Sequence, residues 1–314
     1  MEKALFTENL VKTYKSKVKK EKREVQALKN LNMEVKVGDI YGFIGPNGAG
    51  KTTTIKILMG LIEATDGKAW IMNKPAGTVE AKKNVGYLSE VAYYYPFMEV
   101  GKLLDFYCSF YEIPKSERKE KILNVLKMVN LSNKIDAKIK ELSKGMMQRF
   151  GIAQAIIADP PVMIFDELTS GLDPIAQKEV KDIVLKLKEQ GKTIFFSSHQ
   201  MTEVAMICDK IGIINQGRML KSANLDQFLK EESGSKTKIV VETNQDKLKF
   251  LKEKNVDLEN ERTGVFSFLI PDEDVGEVVD KLVSEKAKVE KVEPHRYSLE
   301  DAFFKLVKED KNEL

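Results

Sequence analysis

The sequence predicts an α/β protein: a parallel β-sheet covered on both faces by helices, with a helical subdomain at about residues 91–160 and a small α+β domain at its carboxy end. Three observations predict this. Short apolar runs, Ile40–Ile44 (IYGFI) and Val162–Phe165 (VMIF) among them, alternate with segments of helical period, as strands buried on both faces do. One of these runs leads through the glycine-rich turn Gly45–Gly50 directly into a helical pattern. Near Glu231-Glu232-Ser233-Gly234-Ser235 the composition turns to a polar linker, and a second series of strands and helices begins beyond it. The expected domains are residues 1–230 and 236–314.

In chain order, Leu5 to Tyr14 reads as a short strand. The basic run Lys15 to Glu24 (KSKVKKEKRE) reads as a solvated hairpin loop, with a contact to lipid headgroups or another subunit as the alternative. Asn32 to Val37 alternates as a half-buried strand, Gly38-Asp39 turns, and Ile40–Ile44 runs into the glycine loop. Thr52 to Leu61 is apolar at helical spacing. From Val100 to about Lys140 the pattern is helical, with Leu103, Leu104, Phe106, Tyr107 and Phe110 as one apolar stripe and Ile122, Leu123, Val125, Leu126 and Val129 as another. Leu142 to Ile157 is a further helix, stopped by Pro160-Pro161. Val162–Phe165 is a strand ending in Asp166-Glu167, Pro174–Glu189 a helix, Thr193–Ser197 a strand and Ile211–Asn215 another. Beyond the linker the pattern gives strands at Lys238–Thr243, Gly264–Ile270 and Lys288–Glu293, and helices at Asp246–Lys254, Val275–Lys286 and Ser298–Lys308. Ser298 and Asp301 fit the capping pattern of the last helix.

Composition bounds what the chain does. An apolar fraction of 42% with 32% charge is that of a globular protein, and a net charge of +3 over 314 residues makes no case for a nucleic-acid partner. Two cysteines, Cys108 and Cys208, supply no disulfide framework, and two histidines, His199 and His295, supply no multi-histidine metal site. No apolar run reaches the length of a membrane span, and none follows the amino terminus as a secretory signal. A cytoplasmic chain that meets membrane only through a partner is expected.

The chemistry lies in Gly45-Pro46-Asn47-Gly48-Ala49-Gly50-Lys51-Thr52. Polyphosphate needs backbone N–H groups converging on anionic oxygens, and glycines permit the tight loop and the close approach. Lys51 is expected to reach the β- and γ-phosphates, and the Thr52 hydroxyl, with Thr53 beside it, to stand at the Mg²⁺ side of ATP. The strand ending Asp166-Glu167 supplies the carboxylates such a site needs: Asp166 toward Mg²⁺, Glu167 as the general base that polarises water.

Further residues carry a specific resemblance. Leu142-Ser143-Lys144-Gly145-Met146, followed by Gln148-Arg149, resembles the signature motif of ABC ATPases, and Ser170-Gly171-Leu172-Asp173 resembles their D-loop. His199 is similar to the family's switch histidine and Tyr14 to its adenine-stacking aromatic residue; Val85-Gly86-Tyr87-Leu88-Ser89-Glu90 stands where the family has its glutamine loop. The likeness covers about residues 1–230, and the tail ending Ser298-Leu299-Glu300-Asp301-Ala302-Phe303 is similar to that of ABC-2-type exporter ATPases, sodium-export and drug-resistance ATPases included. Lys144, Met146, Glu90 and Leu168 depart from the broad family's glycine, glutamine, glutamine and proline. Glu90 adds a carboxylate on the metal side that strengthens cation binding but repels nucleotide.

The resemblance implies a P-loop NTPase fold and a head-to-tail dimer, each ATP lying between the phosphate loop of one subunit and Ser143, Lys144 and Gly145 of the other, with Asp173 at the same interface. It implies ATP and Mg²⁺ as ligands, an integral-membrane permease as a separate partner chain, and a place on the inner face of the cell membrane. Tyr93-Tyr94-Tyr95-Pro96-Phe97 reads either as the permease contact or as core packing. Two other functions compete: a soluble, non-transport ABC ATPase tied to regulation or nucleic acid, and a nucleotide-sensing scaffold, against which Lys51, Asp166 and Glu167 argue.

Overall fold

Two long antiparallel strands, β1 (Lys3–Val18) and β2 (Glu21–Lys36), open the computed structural model, which describes residues 2–18, 21–233, 236–253, 256, 258–294 and 298–312. They pair from Lys3↔Lys36 out to Val18↔Glu21. The stretch read as a solvated loop, Lys15 to Glu24, is therefore mostly ladder; Lys19 and Lys20 lie outside the described residues. Extending an antiparallel register already set by buried Leu5, Leu10, Leu28 and Leu31 needs no further apolar side chains, and a Lys15–Glu24 ion pair of 3.3 Å marks its start.

The chain then builds β3 (Ile40–Ile44), α1 (Lys51–Leu58), β4 (Asp66–Ile71), β5 (Lys74–Pro75), α2 (Val79–Lys82) and β6 (Val85–Leu88). The helical subdomain follows with α3 (Val100–Phe110), α4 (Lys115–Met128) and α5 (Lys144–Ile156). After it come β7 (Val162–Phe165), α6 (Pro174–Glu189), β8 (Thr193–Ser198), α7 (Met201–Ile207), β9 (Lys210–Asn215) and β10 (Arg218–Asn224). Two sheets result: an antiparallel one of order β2-β1-β4-β5, and one of order β10-β9-β3-β8-β7-β6. The second is parallel from β9 to β6, and β10 closes it antiparallel. Each of β3, β7 and β8 is buried along its whole length, which is why β3 and β7 read as apolar runs, while β8 buries polar Thr193, Ser197 and Ser198 around its apolar middle. Tyr41 and Phe43 pack on Phe195 at 5.8 and 5.4 Å between ring centres.

Register positions the site. Ile44 pairs with Ser198, Phe165 with Phe196, and Leu88 with Phe165. The carboxyl ends of β3, β8, β7 and β6 thus reach one edge together, and the loops that leave them begin with Gly45, His199, Asp166 and Ser89. Ligands of open α/β sheets bind at this edge.

The apolar stripe expected along α3 divides. Leu103, Leu104 and Cys108 are buried, whereas Phe106 and Phe110 are 50% and 75% exposed. At 3.6 residues per turn, positions 106 and 110 fall on the face opposite 104 and 108, while Leu103, on the same side as Phe106 and Phe110, is buried in the first turn of the helix. Leu123 likewise points outward while Ile122, Leu126 and Val129 are buried.

The chain divides into two units, Met1–Leu225 with the segment from Leu306, and Asp226–Lys305. Glu231, Glu232 and Ser233, read as linker, form the last turn of α8 (Leu225–Ser233), where Gln227 bonds Glu231 at 2.8 Å; residues 234–235 are outside the described set. The second unit continues with β11 (Lys236–Glu242), α9 (Lys249–Glu253), β12 (Glu259–Arg262), β13 (Val265–Pro271), α10 (Val275–Ser284), β14 (Lys288–Pro294) and the opening of α11 (Leu299–Asn312), whose residues from Leu306 belong to the first unit. The helix expected at Asp246–Lys254 is a 3₁₀ turn at Gln245–Leu248 followed by α9. Its antiparallel sheet, order β12-β13-β11-β14, has the split β-α-β connection, with Ile239, Val241, Phe266, Phe268, Val278 and Leu282 in the core. The Ser298 hydroxyl accepts from Asp301 N at 3.1 Å, and the Asp301 carboxylate accepts from Ser298 N at 3.2 Å, which caps α11. Among the described residues no helix is long and apolar enough to cross a membrane.

Candidate active site

The loop from Gly45 to Gly50 joins buried β3 to α1, and from Pro46 onward it lines a cleft of about 320 Å³; Gly45 itself does not. Its conformation depends on glycine. Gly50 stands at φ +114, and a Cβ there would lie 2.7 Å from Leu28 Cδ2 and 2.8 Å from the Ala27 carbonyl. Gly45 is pressed against β9, where a Cβ would meet the Ile214 carbonyl at 2.3 Å. Pro46, Asn47, Gly48, Ala49, Lys51, Thr52 and Thr53 line the cleft with Gly50, and Glu90, Glu167, Ser170 and His199 close it from the opposite side.

Beneath the cleft the charged groups meet. Lys51, 5% exposed, donates from Nζ to the Gly45 carbonyl at 2.6 Å and pairs with Glu167 Oε1 at 3.3 Å. Glu167 Oε2 is 2.6 Å from His199 Nδ1. Asp166 Oδ1 accepts from Ser197 Oγ at 2.6 Å and from Thr52 Oγ1 at 3.4 Å. Ser197 Oγ also accepts from Glu167 N at 2.9 Å, so one hydroxyl fixes both acids of the pair. Glu167 adopts φ +54, a left-handed conformation that a non-glycine residue keeps only where its surroundings over-determine it.

Burial pushes the Asp166 carboxyl above the ordinary carboxylate range; the Ser197 and Thr52 hydroxyls pull it back, the Glu167 charge raises it further and Lys51 lowers it. Thr52 and Asp166 offer hard oxygen donors of the kind Mg²⁺ prefers. Among the described residues no group of three or more His, Cys, Asp or Glu side chains is placed to cage a metal ion alone. The pair therefore fits a cation whose remaining ligands are phosphate oxygens and water.

Tyr14 does not line this cleft; it is 41% exposed, with its hydroxyl 3.5 Å from Thr53 Oγ1 and the Lys12 ammonium 5.3 Å from its ring centre. Glu90 is exposed on the cleft wall. Ser143, Lys144, Gly145 and Asp173 do not line this cleft. Ser143 is the N-cap of α5 and accepts from Met146 N at 3.3 Å; Asp173 is the N-cap of α6 and accepts from Ala176 N at 2.9 Å. The Lys144 ammonium lies against Gly171, where a Cβ would fall 2.2 Å from it. A Cβ on Gly145 would fall 2.7 Å from Ala176 Cβ, so α5 approaches α6 closely only because glycine stands there.

Gln148, read from the sequence only as part of the signature segment, donates its amide to the Leu168 carbonyl at 2.6 Å; two side chains that also hold this arrangement were passed over, Ser197, and Glu203, which accepts from Thr169 and Gln177. A serine at the end of a buried strand beside paired acids, and an acid four residues past His199, are the signals that point to these two.

With that geometry in view, comparisons give its relatives. The family model described as ABC transporter matches residues 28–170. An ABC transporter ATP-binding protein of Synechocystis is 45% identical over 214 residues, covering 68% of this chain and 60% of the relative, so the chain spans about three-fifths of that protein's length. Bacitracin transport ATP-binding protein BcrA of Bacillus licheniformis is 34% identical over 90% of this chain and 92% of its own. A solved dimeric ATP-binding cassette in a post-hydrolysis state, bound to ADP and Pi, superposes with a TM-score of 0.62 at 26% identity, over 70% of this chain and 98% of its own.

Proposed function

This chain belongs to the family of ABC transporter ATP-binding proteins, a family of ATP-hydrolysing cassettes, and on that premise we propose that it binds and hydrolyses ATP to power export through a separate membrane subunit. The observation that carries the reading is the set of linked contacts from Thr52 through Asp166 and Ser197 to Glu167, and from Glu167 to both Lys51 and His199. A phosphate loop alone would account for binding. A carboxylate held between a lysine and a histidine beside that loop accounts for hydrolysis as well.

In this reading the loop N–H groups and Lys51 hold the phosphates of ATP. Thr52 and Asp166, with Glu90 in the same cleft lining, would hold Mg²⁺, which would offset the negative charge on the phosphates. A γ-phosphate competing for Lys51 would loosen its pair with Glu167 and leave that carboxylate to accept a proton from water. His199, contacting Glu167 through Nδ1, keeps its other ring nitrogen, Nε2, for the γ-phosphate. Tyr14 stacks on adenine. Ser143, Lys144 and Gly145, exposed or half-exposed and away from the chain's own cleft, complete the site of a second copy in a head-to-tail dimer, with Asp173 at the same interface.

A docking face for a membrane permease is supported by aromatic side chains that the helical subdomain leaves in solvent. Tyr93, Tyr95 and Phe97 are 91%, 65% and 72% exposed, and Phe110 is 75% exposed. Tyr94 is the exception: it packs edge-on against Phe150 at 4.9 Å. Such docking would place the chain on the cytoplasmic face of the membrane. The transport reading is also supported by the full-length likeness to a protein named for bacitracin transport.

Lys51→Ala tests the site: the affinity for MgATP should fall about tenfold or more, the loss of a charge-assisted contact to phosphate. Unchanged affinity would sink the assignment. The transport arm is tested by purification from membranes, where an integral membrane protein should travel with this chain. ATPase activity stimulated by ribosomes or DNA, with no membrane partner, would favour a soluble ABC ATPase instead.

A further inference from the structure

Glu203 stands in the first turn of α7, four residues past His199. Its two carboxylate oxygens are divided between two partners on different elements. Oε2 accepts from Thr169 Oγ1, and Oε1 accepts from Gln177 Nε2 at 2.9 Å. Thr169, 6% exposed, follows Glu167 by two residues, and its carbonyl accepts from Leu172 N at 3.2 Å across the Ser170-Gly171 turn. Gln177 lies in the opening of α6, where its N–H bonds the Asp173 carbonyl at 2.9 Å. One carboxylate therefore ties together the loop that carries Glu167, the start of α6 and the helix that follows His199.

This tie acts where the backbone needs holding. Glu167 at φ +54 keeps that conformation only under constraint from its surroundings. Ser197 Oγ constrains it at the Glu167 N–H. Downstream, the Gln148 amide holds the Leu168 carbonyl, Ser170 N bonds the Glu167 carbonyl at 3.3 Å, and the Thr169–Glu203 bond ties the next side chain to α7. Both threonine and glutamine are partly or fully removed from water, so breaking the bridge strands donors that must find other partners.

We propose that Glu203 is a positioning residue of the hydrolytic site, bridging Thr169 and Gln177 so that the Glu167 loop and the His199 helix keep the Glu167–His199 contact. The proposal rests on the reading of Glu167 as the base. Glu203 touches neither nucleotide nor water in it, and acts through hydrogen bonds that an amide can also make. A glutamine at this position accepts from Gln177 through its carbonyl and donates to the Thr169 hydroxyl, which rotates to accept.

The test is steady-state ATP hydrolysis and direct MgATP binding for Glu203→Ala and Glu203→Gln, with Glu167→Gln beside them. Glu203→Ala should lower kcat by about tenfold or more through misplacement of the reacting groups, with KM and binding affinity within about twofold. Glu203→Gln should keep kcat within about threefold. The double variant Thr169→Val with Gln177→Leu should reproduce the alanine effect, and adding Glu203→Ala to it should cost nothing further. Wild-type kcat in Glu203→Ala, equal damage from the glutamine, or additive losses in the combined variant would each overturn the bridge while leaving the site reading intact if Glu167→Gln is inactive. Retained turnover in Glu167→Gln would overturn both.

Discussion

At the residue scale, Asp166 shows what the site costs the fold. Its carboxyl is 2% exposed, and burial raises its pKa despite two hydroxyl donors. A raised folded pKa means that the native chain binds more protons than the unfolded chain between the two values. Stability therefore falls as pH rises from the unfolded value near 3.8 through the folded one, and stays lower above it. Asp166→Asn removes the charge and keeps an oxygen to accept from Ser197 and Thr52. In the absence of nucleotide and metal it should stabilise the first unit by on the order of 1 kcal/mol at neutral pH, a gain that shrinks as pH is lowered through the window. Urea unfolding of both proteins at pH 7.5 and at successively lower pH reads this directly. A destabilised variant at pH 7.5 would contradict the assignment of a net burial penalty. Turnover should be lost in the same variant, since the proposed Mg²⁺ site loses the buried one of its two carboxylates, Asp166 and Glu90.

At the element scale, the packing of α5 on α6 ties the signature segment to the segment that begins with Asp173. Gly145 makes the approach possible, since a Cβ there would fall 2.7 Å from that of Ala176. Gly145→Ala should cost about 1–3 kcal/mol by overpacking, with Ala176→Gly restoring part of it. An additive loss in the double variant, seen in urea unfolding, would show that the two residues do not press on each other. Elements such as these were legible where chain chemistry marks both ends. Pro160-Pro161 and Asp166-Glu167 bracket β7, and Asp173-Pro174 opens α6. Others carried no such marks. The seven residues of α7 are too few to display a period, β10 is a half-exposed edge strand, and β12 is a run of exposed polar and charged residues held by pairing to β13. The long β1–β2 ladder was hidden because its outer half is polar and reads as loop. In the site, Lys51, Asp166 and Glu167 could be read from motif and strand context. Ser197 and Glu203 could not be assigned, because their roles depend on partners about 30 residues away that only the folded chain supplies.

On the scale of the whole molecule, the chain presents one phosphate loop and one set of signature residues facing different directions of use: the cleft gathers Lys51, Glu90, Glu167 and His199, while Ser143, Lys144 and Gly145 are absent from it. In the proposed reading a single copy therefore gathers in its own cleft only part of the groups that the reaction needs. Hydrolysis should require two copies, and MgATP should hold them together until it is cleaved. The measurement that tests this most directly is Glu167→Gln followed for MgATP binding, turnover and sedimentation in parallel. The account predicts wild-type affinity, turnover abolished, and an ATP-dependent dimer that accumulates because its nucleotide is not consumed. Turnover near the wild-type rate would show that Glu167 is not the base, and a variant that stays monomeric with ATP bound would show that the site is not shared between copies.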